Sequence, residues 1–381
     1  MNTLAEAAVD LTAIEQNVRT IGAAADTALM AVVKADGFGH GAVPVARAAL
    51  RAGAGWLGVA SAAEALALRA AGITAPVLSW LHRPDDDFAA LIAAGTDIGV
   101  STVAHLHAVA DAARALGVPA TVQLKADTGL SRNGAAERDW PEVTGWARKF
   151  ELEGAVRVRA VWSHLADADV PDSPGLSRQV TLFEEALALA RAAGLDPDLV
   201  HLANSAAALG APRTRYDLCR IGLALYGVDP FGGNGPGRYG LRAAMTLRAG
   251  VVNVKRVPAG TGVSYGPEHV TRGPTTLALL PLGYADGLPR AAEGRGAVRL
   301  AGRRCPIVGR IAMDQCVVDA GDLPVEIGDE AVVFGPERDD DRTQPTVAQW
   351  ARWARTIPNE ILTGVGARVV RRYRHDETEL S

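Results

Sequence analysis

The sequence predicts a (β/α)8 barrel followed by a β-rich C-terminal domain, and three observations carry that prediction. Over roughly the first 220 residues one unit recurs: a short apolar run, a polar turn, then an alanine-rich stretch with helical spacing. Glycine follows several of the helical stretches, at Gly53, Gly72, Gly95, Gly117 and Gly194, where a helix C-terminus favours a left-handed residue. After Gly240 the rhythm breaks into short strands separated by Gly/Pro turns.

The apolar runs place barrel strands at residues 28–33, 56–60, 76–79, 96–101, 120–125, 156–162, 199–203 and 216–220. Helical spacing fills most of the gaps, at 43–52, 62–71, 85–94, 104–116, 141–152 and 174–193. Asp85, Asp86 and Asp87 open one of these helices as caps and dipole partners rather than as metal ligands. A doubly wound open sheet is the competing architecture, but it would carry a Gly-rich dinucleotide loop after its first strand. Here the first strand ends in Lys34 instead.

In the second part, strands are expected at 251–257, 276–280, 297–300, 307–308, 316–318 and 331–334, then a helix at 347–355 and a closing strand at 367–373. The Pro/Gly-rich stretch 229–240 is the natural linker. The expected domains are therefore 1–235 and 236–381, with the first ~10 residues able to pack on the second.

Bulk properties narrow the function. A length of 381 residues suits two cores, and a net charge of −4 gives a nucleic acid nothing to bind. Basic pairs such as Arg303-Arg304 and Arg371-Arg372 read as solvated surface. Cys219, Cys305 and Cys316 show no metal or disulfide spacing and fit reduced thiols in a cytoplasm. The N-terminal stretch carries Glu6 and Asp10, no basic residue and no apolar centre, unlike a signal peptide, and no run approaches a membrane span. His105 and His107, two apart on a helix, point to different sides and make a poor metal site, and no metal is expected elsewhere.

Chemistry in such a barrel gathers at the C-terminal ends of the strands. Lys34 ends the first strand, Lys125 the fifth with Arg132 following, and His164 the sixth. Asn204 and Ser205 end the seventh, Arg220 and Gly222 the eighth. Singly, each has a bland explanation: a solvated lysine, a structural histidine, a paired arginine, a helix-capping serine. Together they face one mouth. Ser205 ahead of a short helix, with the Gly222 and Leu223 amides, is placed to hold a phosphate. A lysine desolvated among cations loses its proton and can attack an aldehyde.

The motifs are more specific still. VKADGFGHG at 33–41, KADTGLSR at 125–132, SHLA at 163–166, NSAA at 204–207, RIGLALYG at 220–227, GVSYG at 262–266, LGYADG at 282–287 and MDQ at 313–315 occur in one order. The tail 356–373 aligns in outline. This ordered series resembles the alanine racemases, and Lys34 matches their cofactor lysine.

The resemblance implies pyridoxal 5'-phosphate bound through Lys34, and a racemase that moves the α-proton of a small amino acid with two bases. Lys34 would serve the D-enantiomer and Tyr265 the L-enantiomer. His164 and Arg220 match the chain that favours the tyrosine phenolate, with Arg220 also facing the pyridine nitrogen and leaving it unprotonated. Arg132 would bind the cofactor's phenolic oxygen and the substrate carboxylate. Asn204, Ser205, Gly222, Leu223 and Asn359 match the phosphate region. Tyr284, Met313 and Asp314 match residues near the substrate, and Lys125 resembles a lysine that relatives carbamylate. In the family the β-domain of one protomer completes the barrel mouth of the other. An obligate head-to-tail homodimer with two shared sites follows, as does a supply of D-alanine for peptidoglycan.

The chain departs from the family pattern at Phe38 and Asn359, where tyrosines are usual, and at Ala312, where a cysteine is usual. Phenylalanine cannot hydrogen-bond a phosphate, and asparagine leaves room for a polar side chain larger than methyl. A serine or broad-specificity racemase is the alternative function. A pyridoxal-phosphate homeostasis protein would lack the second domain and Tyr265. An amino-acid decarboxylase would place a cysteine-centred motif there, and neither Cys305 nor Cys316 has that context. An aminotransferase-like regulator would need a DNA-binding region.

Overall fold

The computed structural model describes residues 3–170, 172–232, 239–337 and 342–375. It divides into two compact units. One comprises residues 18–37 and 45–225; the other takes the described residues of 1–17, 38–44 and 226–381. The expected boundary at 235/236 and half of the expected linker, residues 233–238, lie outside the described residues.

Strand β1 (Ala5–Asp10) comes first and belongs to the second unit. The first unit is a parallel barrel of β2 (Ala28–Val32), β3 (Trp56–Val59), β4 (Val77–Ser79), β5 (Asp97–Val100), β6 (Ala120–Lys125), β7 (Val156–Trp162), β8 (Leu199–His201) and β9 (Leu218–Ile221). Their order is β8-β7-β6-β5-β4-β3-β2-β9, with every pairing parallel. The fold is thus a nearly closed (β/α)8 barrel, as expected. Helices cover the outside of these strands, so both faces are buried and the strands read as continuous apolar runs rather than alternating ones. Met30, Leu78, Trp162 and Leu218 form an interior cluster, with Trp56 and Trp80 packed against it.

Helix ends follow local chemistry. The five punctuating glycines all have positive φ, from 62° at Gly95 to 106° at Gly53. The helix expected at 85–94 begins only at Phe88. Its three aspartates are diverted to local bonds: Asp85 to Arg83 Nε (2.8 Å), Asp86 to the Arg83 amide (3.0 Å) and Asp87 to the Ala90 amide (3.0 Å). Only the last is a cap.

The second unit continues with β10 (Met245–Gly250), β11 (Asn253–Val257), β12 (Gly262–Val263), β13 (His269–Val270), β14 (Thr275–Leu280), β15 (Ala297–Leu300), β16 (Arg303–Val308), β17 (Cys316–Gly321), β18 (Glu330–Phe334) and β19 (Val370–Arg374). Its main sheet runs β11-β14-β17-β16-β15-β18-β10-β1-β19, beside the small ribbon β12-β13. Four strands of this unit, β1, β10 and the short β12 and β13, are absent from the sequence expectation. β1 is alanine-rich and gives no clear period, and tertiary pairing decides its state. It runs antiparallel to β10, with Ala7 opposite Leu247, and parallel to β19, with Ala7 opposite Arg371. Its one charged interior residue, Glu6, is buried but accepts from Arg248 Nε (2.8 Å) and Arg372 Nε (3.0 Å). β10 does alternate buried with half-buried positions, so its signal was present in the sequence.

Candidate active site

Lys34 follows β2 with one residue, Val33, between them, and the backbone after it is strained. Ala35 (φ 52°), Asp36 (φ 51°) and Gly37 (φ 60°) are successive left-handed residues, closed by the Gly37 amide on the Val33 carbonyl at 2.9 Å. Left-handed geometry costs an L-residue roughly 1–2 kcal/mol, so something must hold the turn. Glu64 does. One carboxylate oxygen accepts from the Ala35 amide (2.7 Å), the other from the amides of Ala60 (2.8 Å) and Ser61 (3.0 Å). With Ser61 it also completes the capping box of helix Ala62–Ala70. One glutamate therefore ties the lysine turn to the helix that follows β3. Burial, then Arg132, lower the Lys34 pKa, against the pull of Glu64.

Lys125 ends β6 with 4% of its surface exposed, its Nζ 4.4 Å from the centre of the Trp162 ring. Burial, then Arg220 and Arg132, push its pKa down to about 7. The next loop delivers Arg132 to an exposed position. Asp127 shapes it by accepting from the amides of Gly129 (3.0 Å) and Ser131 (3.1 Å).

Arg220, on β9, is buried and makes no bond to a carboxylate among the described residues. Its Nη2 donates to the carbonyls of Ser163 (2.6 Å) and Leu202 (2.9 Å), and its Nη1 to that of His201 (3.2 Å). Nη1 also lies 2.8 Å from His201 Nδ1, and Nη2 lies 3.3 Å from His164 Nδ1. Burial lowers its pKa to about 9, which leaves it charged at neutral pH. An arginine only donates, so both Nδ1 atoms present lone pairs and the imidazole protons sit on Nε2. Burial, then Arg220 and the other cations, push His164 down to about 2, so it stays neutral.

Asn204 caps the short helix Ser205–Gly210 through the Ala207 amide (3.1 Å). Ser205 Oγ accepts from the amides of Gly222 (3.1 Å) and Ala224 (3.4 Å), making one bonded corner beyond β8 and β9. Lys34, Lys125, Arg132, His164, Asn204, Ser205, Arg220, Gly222 and Leu223 all belong to the barrel unit.

Tyr265, Tyr284, Met313, Asp314 and Asn359 belong to the other unit. Tyr265 follows β12 and is 70% exposed; Ser264 before it has φ 63° and donates to the Arg310 carbonyl (2.7 Å). The Tyr284 amide donates to the Ala312 carbonyl and the Ala285 amide to that of Met313, each at 3.0 Å. A Cβ on Gly283 would sit 2.2 Å from the Met313 carbonyl oxygen, so only glycine permits that approach. Arg368 bridges Asp286 (2.9 and 3.0 Å) to Asp314 (2.7 Å). Tyr284 and Met313 are exposed. In the same unit Phe38 is buried and stacks on Tyr226 at 4.7 Å between ring centres, while Asn359 is half-buried near the start of helix Pro358–Thr363.

Sequence reasoning missed Glu64, Asp97, Gln123 and His201. The last three are buried polar residues on otherwise apolar barrel strands, and that contrast was the available signal. His105 and His107 do diverge. His105 Nε2 lies 2.9 Å from the His82 carbonyl, and His107 packs edge-on against Trp146 and Phe150.

Taken together, the barrel site concentrates cations around a lysine of lowered proton affinity. It is suited to an anionic ligand and to attack by an amine on a carbonyl.

Comparison with known proteins agrees with this arrangement. Residues 9–230 match the family model described as alanine racemase, N-terminal domain, and residues 244–373 the alanine racemase C-terminal domain. The alanine racemase of Frankia casuarinae is 51% identical over 369 residues, covering 96% of this chain and 95% of that protein. The crystal structure of alanine racemase from D-cycloserine-producing Streptomyces lavendulae superposes with a TM-score of 0.94 at 51% identity, covering 98% and 97%. The Bartonella henselae alanine racemase with covalently bound pyridoxal phosphate superposes at 0.86 with 31% identity, covering 98% and 100%. This chain belongs to the alanine racemase family.

Proposed function

We propose that this chain interconverts L-alanine and D-alanine with pyridoxal phosphate bound through Lys34, by a two-base mechanism in which Tyr265 is the second base. The observation that carries it is the cluster of Lys34, Lys125, Arg132 and Arg220 around neutral His164. Beyond burial, the fields of neighbouring cations depress the proton affinity of Lys34, Lys125 and His164, with only Asp127 and Glu64 acting in the opposite sense at the two lysines. Such a surplus of positive charge fits a group carrying a phosphate and a phenolate oxygen. When bound, pyridoxal phosphate supplies an aldehyde that takes up an amine and a conjugated ring that draws electrons from the amino acid's α-carbon.

The residues divide the remaining work. Ser205, Gly222 and Leu223, with Asn204 and Asn359, would hold the phosphate. Arg132 would orient the substrate carboxylate and the phenolic oxygen. Arg220, always a donor, would leave the ring nitrogen unprotonated, which makes the ring a weaker electron sink and limits side reactions. Lys34 Nζ would remove or return the α-proton on its face, and the Tyr265 hydroxyl on the other. His164 Nε2–H is free to donate toward that tyrosine and favour its phenolate. Lys125 is neutral above about pH 7 and can add carbon dioxide, forming an N–C bond and releasing a proton, to give a carbamate that orients Arg132.

The exposure of Tyr265, Tyr284 and Met313 supports a homodimer in which each second unit covers the partner's barrel mouth. We take 1–235 and 236–381 as the working domains, and supply of D-alanine for peptidoglycan in the cytoplasm as the role. Among the described residues no helix is long and apolar enough to cross a membrane. Asn359 favours one second reading, a serine or broad-specificity racemase. The deciding experiment measures D-enantiomer formation from L-alanine and from L-serine, with added pyridoxal phosphate. Alanine well ahead supports the proposal, serine equal or ahead favours the second reading, and no turnover of either overturns both.

A further inference from the structure

Arg220 does not stand alone beneath the site. Its Nη1 meets His201 Nδ1 at 2.8 Å, His201 Nε2 meets Gln123 Oε1 at 2.8 Å, and Gln123 Nε2 meets Asp97 Oδ2 at 2.7 Å. Arg159 Nη1 closes the far end on Asp97 Oδ1 at 2.9 Å. The chain crosses the barrel interior through β5, β6, β8 and β9, with Asp97, Gln123, His201 and Arg220 at most 4% exposed. Trp162 stacks on the His201 ring at 5.3 Å and 14°, which fixes its plane.

The direction of every bond is forced. A carboxylate only accepts, so Gln123 turns its NH2 to Asp97 and its carbonyl to His201. A carbonyl only accepts, so the His201 proton is on Nε2 and its Nδ1 lone pair receives Arg220. Both ends of the chain are arginines that only donate. A chain of amphoteric groups between two pure donors works only if one member accepts from both sides, and Asp97 is that member.

We propose that Asp97, through Gln123 and His201, positions Arg220 for the reaction, acting as the double acceptor that lets two arginines terminate one buried chain. None of the three is a catalytic residue. The inference rests on the proposed function only in placing Arg220 against the cofactor ring. Replacing Asp97 by an amide gives Arg159 the oxygen and turns an NH2 toward Gln123. Gln123 must then flip, its own NH2 meets His201 Nε2, and the chain carries one donor too many. Removing the Arg159 donor as well restores a consistent direction.

The test compares the pyridoxal-phosphate-loaded wild type with Asp97→Asn, Arg159→Met and the double variant. Nitrogen-15 spectra of the histidine side chains read the tautomers, and visible absorption of the bound cofactor and alanine racemisation read the site. Asp97→Asn is expected to lose the single Nε2–H tautomer of His201, to shift the cofactor band, and to lower kcat on the order of tenfold with KM for alanine moved less than about twofold. Arg159→Met leaves all of these near wild type. The double variant regains the tautomer and returns kcat to within about threefold of wild type, a non-additivity that ordinary loss of packing does not produce. Should Asp97→Asn fail to fold, the tautomer and kcat of the folded double variant carry the test. An unchanged tautomer and kcat in Asp97→Asn, or a double variant no better than the single, overturns the proposal. A wild type that binds no cofactor and racemises nothing overturns the reading of the site instead, while the tautomer shift still reports on the chain.

Discussion

The barrel mouth and the exposed face of the second unit make an instructive pair. In the barrel, Lys125, Arg220 and His164 lie in one another's field, and burial leads every pKa shift there. In the second unit Tyr265, Tyr284 and Met313 are 70%, 44% and 53% exposed, and their segments are anchored by backbone bonds and by the Ser264 hydroxyl on the Arg310 carbonyl. The first region draws all of its clustered charges from one chain. The second consists of aromatic and thioether side chains held out on fixed backbone, a surface that invites cover.

The largest effect should come from separating the two regions. Lys34→Ala and Tyr265→Phe should each lower racemisation by at least about 10³-fold, since each removes one of the two proposed bases. Mixed under conditions that exchange subunits, the two inactive variants should regain activity, because one site of the heterodimer then has both Lys34 and Tyr265. No recovery despite confirmed exchange would mean that the sites are not shared. Light scattering showing an active monomer would break the comparison outright.

Next in size is Glu64→Gln. The neutral amide cannot accept at all three backbone amides as a carboxylate does, so the left-handed turn loosens. Stability should fall by about 1–2 kcal/mol in denaturant titration, with a larger loss of cofactor affinity than of fold. Uptake of carbon-13-labelled carbon dioxide at Lys125, followed by NMR, should rise as pH climbs through about 7 and fall below it, because only the neutral amine adds carbon dioxide. The smallest effect is expected from Asn359→Tyr, which should favour alanine over serine by on the order of tenfold in kcat/KM, the low end of the range for so small a difference in side chain.

Most barrel elements could be read from the sequence, because each strand buried on both faces is an apolar run and glycine follows several of the helices. The candidate residues at the strand ends were equally readable, since topology alone brings Lys34, Lys125, His164, Ser205 and Arg220 to one rim. β1 could not be read in this way. Its Ala-Glu-Ala-Ala-Val-Asp carries no period, and it becomes a strand only because β10 and β19 lie on either side of it.

The sequence by itself determined the architecture, the order of the functional motifs and the choice of Lys34, because these depend on local periodicity and on residue type. The tertiary structure decided the rest: which proton each imidazole carries, why Lys125 lies near neutrality, how Glu64 holds a strained turn, and how Asp97 reaches Arg220 across four strands. Those are properties of charges and donors brought together from distant parts of the chain, and Coulomb fields and hydrogen-bond direction depend on distance in space rather than on position along the sequence.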